Sequence, residues 1–122
     1  MKYKRGAIVI HNETIDTIEE ALTFGARIVM GEIFEPVCTS GVDGNHSTNP
    51  ESGHYQARAL DFGFYGFVPV SGVLARVEIA PEKRTPILDH TMQRLTDLYG
   101  AGRYFGMLED DHFHLQRNKN TF

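Results

Sequence analysis

A chain of 122 residues, 41% of them hydrophobic, is long enough for one domain with a core of its own. Lys and Arg are outnumbered by Asp and Glu, and the formal net charge is −4 with His neutral. No basic excess exists to neutralise phosphates, so a nucleic-acid partner is not expected. The single cysteine, Cys38, excludes an intrachain disulfide, and Ala7-Ile8-Val9-Ile10 is too short for a secretory apolar segment or a membrane span.

In chain order, residues 2–10 contain an apolar run that reads as a first strand. Asn12 or Thr14 is placed to cap a helix running through Gly25 or beyond, because Ile15, Ile18, Ala21, Leu22 and Ile28/Val29 recur at helical spacing. The acids Glu13, Asp16, Glu19 and Glu20 crowd its first half, as the helix dipole favours. Residues 34–39 read as a short strand that buries Cys38 as a small hydrophobe. Residues 40–53, rich in Gly, Asn, Ser and Pro, are loop. Residues 58–62 read as a second strand, with Ala59 and Asp61 on one face and Leu60 and Phe62 on the other. The aromatic and glycine-rich residues 62–71 read as core and loop packing, and residues 73–80 as another strand. Thr85-Pro86 predicts the start of a second helix, with Thr85 as cap and Pro86 at the first helical position. Leu88, Met92, Leu95 and Leu98/Tyr99 supply its apolar stripe, and Gly100 its end. Residues 104–108 and 113–116 read as paired strands turning at Glu109-Asp110-Asp111. The expected fold class is α+β: a single small domain, two helices packed on a mostly antiparallel sheet.

Two short stretches carry the chemistry. His54 ends the polar loop, and Asp61 follows seven residues later on a strand. His112 and His114 are two apart, so on a strand both rings share one side and Phe113 points to the other, into the core. A catalytic Zn²⁺ takes three ligands of these types, leaves a position for water and needs a base nearby. Lone histidines such as His11 and His90 read as surface residues.

Ser52-x-His54-x-x-Ala57-x-Ala59-x-Asp61, followed by Asp111-His112-x-His114, resembles the zinc D-alanyl-D-alanine metallopeptidases. These are the peptidoglycan carboxypeptidases, dipeptidases and phage endolysins with the pattern S-x-H-x-x-G-x-A-x-D and a late H-x-H or E-x-x-H. Ala57 stands where that pattern has Gly. The resemblance spans residues 37–116 and implies a hedgehog/D-Ala-D-Ala-peptidase-like fold. It assigns Zn²⁺ to His54, Asp61 and His114 and the general base to Asp111, three residues before the last ligand. A second register, Glu109-x-x-His112, makes His112 the ligand and Glu109 the base; the first is preferred. Protonated His112 would then stabilise the oxyanion, and Ser52 would steady the loop or a ligand. Mn²⁺ or Co²⁺ also suits such a ligand set.

The implied activity is hydrolysis of a peptide bond next to D-amino acids in peptidoglycan, in a phage or prophage endolysin-like setting. Without a leader the chain is expected to be made in the cytoplasm and to reach the cell wall only if a partner releases it; its oligomeric state is left open. Relatives commonly carry S-G-Y-R where this chain has Ser40-Gly41-Val42-Asp43, so Asp43 replaces a substrate-binding Arg. His46 and Arg58 are the candidates to fill that role. A carboxypeptidase needs such a cation for the terminal carboxylate, whereas an endopeptidase does not. Two alternatives stand beside this reading. One is a non-catalytic metal-binding or structural domain that keeps the peptidase fold, such as a virion component. The other is a zinc amidohydrolase with another substrate.

Overall fold

A computed structural model describes residues 1–43 and 57–119, so the expectations for His46, Ser52 and His54 lie outside the described residues. Helix α1 (Glu13–Met30) starts at Asn12, whose side chain accepts from the Ile15 N–H at 2.8 Å, and stops at Gly31, left-handed at φ 69°. Its buried face is Ile15, Ile18, Ala21, Leu22, Gly25 and Ala26, the spacing expected from the sequence.

Helix α2 (Pro81–Tyr99) corrects the sequence reading, because it begins before Thr85-Pro86. Pro81 takes the early position where a missing N–H is harmless, and Pro86 lies inside the helix. Pro86 forgoes the bond to the carbonyl four residues back. The turn before it is held in other ways. The Lys83 N–H donates to Ala80 O (2.9 Å), and Arg84 donates to Ile79 O (3.2 Å) while its guanidinium lies over the Phe64 ring. The fully buried stripe is Ile87, Thr91 and Leu95; the expected Leu88 and Met92 pack partly buried against the core beside it, and Leu98 and Tyr99 are exposed. Gly100 closes the helix, its N–H donating to Thr96 O. The two helices touch at Gly25, where a Cβ would come within 2.6 Å of Thr91 Oγ1.

The remaining elements are β1 (Lys2–Tyr3), β2 (Glu35–Ser40), β3 (Ala59–Val70), β4 (Val73–Glu78), β5 (Tyr104–Leu108) and β6 (His112–Arg117). They form one mixed sheet in the order β1-β2-β3-β6-β5, with β4 also on β3. β1 and β2 run parallel, and the other pairs are antiparallel. The strand expected over residues 2–10 shrinks to Lys2–Tyr3. A turn closed by Ala7 N–H to Lys4 O, with Gly6 at φ 92°, breaks the chain after it. β3 instead runs on through the aromatic stretch. Gly63 and Gly66 are sites of close approach there: a Cβ would meet the Tyr65 ring at 2.5 Å or the Phe34 ring at 2.3 Å. The first half of β3 pairs with β6, and the second half with β4.

Leu60, Phe62, Phe113 and Leu115 bury one face of the sheet against Ile15, Ile18 and Leu22 of α1 and Ile87 and Leu95 of α2. Each such side chain contributes about 1.5–3 kcal/mol on burial. Cys38 lies in this core as expected, and burial pushes its thiol up to about 12. No helix among the described residues is long and apolar enough to cross a membrane.

Asp43 closes a turn. Its carboxylate accepts from the N–H groups of Ile8 and Gly41, both at 2.8 Å, and from the Ser40 hydroxyl at 3.2 Å. Burial opposes its charge, but the hydrogen bonds from Gly41, Ile8, its own amide and Ser40 outweigh it and hold the carboxyl below its ordinary range. A depressed carboxyl stabilises the fold above its unfolded pKa of about 3.9, and this is lost as pH falls through the folded value. Asp43→Ala is therefore expected to cost about 1–3 kcal/mol at pH 7. In urea titrations the gap from wild type should narrow steadily below about pH 4. A gap that stays constant to pH 3 would show that the charge plays no part.

Candidate metal centre

The pairing of β3 with β6 sets Asp61 opposite His114 and Gly63 opposite His112. Residues opposed in an antiparallel ladder share a face, and neighbours along a strand alternate. Asp61, His112 and His114 thus lie on the sheet face turned away from the helices. Phe113, fully buried between the two histidines, pins β6 to the core. Gly63 stands opposite His112, and the Tyr65 ring occupies the place its side chain would take.

Asp61 is 6% exposed, and its Oδ1 lies 3.0 Å from His114 Nδ1 and 3.6 Å from His112 Nε2. Glu109 Oε1 is 4.0 Å from that same His112 nitrogen. On the far side of the ring, His112 Nδ1 lies 2.6 Å from Asp111 Oδ1. An ionised carboxylate only accepts, so Nδ1 carries a proton, and Nε2 is the ring nitrogen that faces Asp61 and Glu109. A lone pair facing two carboxylates is unfavourable unless a proton or a metal ion sits among them. A carboxylate behind the imidazole is also the usual outer partner of a metal-bound His. The hydrogen bond to His112, and then its charge, hold Asp111 below its ordinary range.

His114 is placed differently. Nδ1 meets Asp61, and Nε2 lies 2.8 Å from the Gln116 side-chain amide, whose O and N ends are interchangeable by rotation. Burial works against protonating this ring, but the hydrogen bonds to Asp61 and Gln116 and the charges of Asp61 and Glu109 prevail, and its pKa is raised. Gln116 was not anticipated from the sequence. Its signal was the strand period of two that also links His112 to His114.

The hairpin expected at Glu109-Asp110-Asp111 is present, closed by Glu109 N–H to His112 O (2.9 Å). It puts Glu109 and Asp111 on opposite sides of the His112 ring, and the Asp111 side chain is 88% exposed. Arg58 is buried, and its Nη1 donates to Arg117 O at 2.7 Å, tying the entry to β3 onto the end of β6. Ala57 has φ 51°, a region that costs a non-glycine residue about 1–2 kcal/mol, so a glycine at this point of the pattern has a backbone reason. The Asn12 side chain that caps α1 also donates to Ala57 O at 2.9 Å.

No family model, curated protein or solved structure matches this chain.

Proposed function

We propose that this chain is a zinc-dependent peptidoglycan peptidase of the D-alanyl-D-alanine metallopeptidase type, with the hedgehog/D-Ala-D-Ala-peptidase-like fold of that group. The observation that carries the reading is His112, gripped by Asp111 through one ring nitrogen and directed at Asp61 and Glu109 through the other. It favours the Glu109-x-x-His112 register. His54, Asp61 and His112 would hold Zn²⁺, a set of imidazole and carboxylate donors that suits it. Bound there, Zn²⁺ supplies Lewis acidity towards the scissile carbonyl and makes water more acidic.

The remaining chemistry belongs to side chains. Glu109 accepts the proton of the attacking water and returns it to the leaving amine. Asp111 orients His112, and His114 steadies Asp61 from its other side. Phe105 and Met107, opposite Gln116 and His114 on the same face and exposed, give a substrate peptide an apolar flank. Asp43 serves the backbone of its own turn, which favours endopeptidase over carboxypeptidase action.

The test is metal content by elemental analysis, followed by release of new amino groups from purified peptidoglycan with and without chelator. Tightly bound zinc and chelator-sensitive release are expected, and product masses then identify the bond. Zinc without release would replace the reading with a non-catalytic metal-binding domain or an enzyme of another amide. No zinc after reconstitution would overturn it.

A further inference from the structure

Among the described residues, one group of His and carboxylate donors has all its ligand atoms within 4.8 Å of one another: His11, Asp16 and Glu19. It lies at the start of α1, separate from the centre on β3 and β6. Asp16 and Glu19 are three apart on the helix and so are neighbours on its surface. His11 immediately precedes the cap residue Asn12, and its Nδ1 lies 3.2 Å from Asp16 Oδ1.

Counting protons shows what this group lacks. The Tyr3 hydroxyl has one proton and donates it to Glu19 Oε1 at 2.7 Å. Its oxygen also faces His11 Nε2 at 3.4 Å, so it is His11 that carries the proton in that contact. In the neutral ring, Nδ1 then presents a lone pair to the Asp16 carboxylate, beside a second carboxylate, and either a second proton on the ring or a metal cation among the three relieves it. Tyr3 stands where the outer partner of a ligating His belongs. Asp16 and Glu19 also line a groove of about 640 Å³ along α1, which leaves room for water on the open side of an ion.

We infer that His11, Asp16 and Glu19 form a second site for a divalent first-row transition ion, of which Zn²⁺ is the probe. One imidazole with two carboxylates suits such an ion better than Mg²⁺ or Ca²⁺. The ion clips the segment between β1 and α1 to the helix. That segment supports the turn after β2, since Ile8 O accepts from Val42 N–H and Ile8 N–H donates to Asp43.

The experiment strips the full chain of metal and titrates it with Zn²⁺ by calorimetry, following the His11 ring nitrogens by NMR. Wild type is expected to take up two ions and shift the His11 Nδ1 resonance. His11→Ala should lose one ion, and Glu19→Gln should weaken one at least tenfold, with release from peptidoglycan unchanged in both. Asp61→Ala should keep the His11 ion. If both His11 and Glu19 variants bind zinc as wild type does, the group is a hydrogen-bonded cluster only and the inference falls. A single ion that His11→Ala abolishes and Asp61→Ala spares would instead uphold this site and remove the one on β3 and β6.

Discussion

Replacing His112 by Ala is expected to abolish tight zinc binding at the β3–β6 centre and to reduce peptidoglycan hydrolysis to background. A bound Zn²⁺ is worth several kcal/mol to the transition state, so the loss is about 10³-fold or more. His114→Ala should keep the ion with affinity weakened about 10–100-fold, the effect of removing an outer partner. The contrast follows from the two rings' contacts. His112 Nε2 faces Asp61 and Glu109 with Asp111 behind, whereas the nitrogens of His114 meet Asp61 and Gln116. Elemental analysis of the two variants, each made in a His11→Ala background so that only the β3–β6 ion is counted, decides it. Zinc kept in His112→Ala and lost in His114→Ala would restore the Asp111/His114 register.

Glu109→Gln should retain zinc and lose about 10²–10⁴-fold in kcat with KM little changed, the pattern of a group that acts on a proton in the transition state. Glutamine keeps the shape and cannot take the proton. Asp111→Asn should instead act through the metal, weakening zinc about 10–100-fold, with kcat largely recovered when zinc is supplied in excess. Steady-state kinetics at saturating zinc separates the two. A larger kcat loss in Asp111→Asn than in Glu109→Gln would return the base to Asp111.

These expectations bear on what could be read before the fold was known. Local patterns served well wherever one strong local signal stood alone. Asn12 capped α1, Gly100 closed α2, and the acidic turn joined β5 to β6. They failed where packing intervened. Thr85-Pro86 reads as the helix start, yet α2 begins at Pro81, and Arg84 in the turn between lies over the Phe64 ring, a partner twenty residues away that no local window contains. Residues 62–71 read as core and loop packing, but β3 runs through them, and Gly63 and Gly66 sit inside it with Tyr65 and Phe34 lying where their side chains would be.

The sequence by itself determined the α+β class, most of the elements, and a short list of residues whose types suit a metal ion. All of these depend on period, capping and residue type, which are local. Only the tertiary structure decided which of those residues meet. The register of β3 on β6 placed Asp61 opposite His114, and the hairpin set Glu109 and Asp111 on opposite sides of His112. It also turned Asp43 back onto Ile8, and brought Tyr3 and His11 to Glu19 and Asp16. The physical reason is that hydrogen bonds between residues tens of positions apart depend on how the strands and helices are packed, and spacing along the chain does not encode the direction in which a ring nitrogen points.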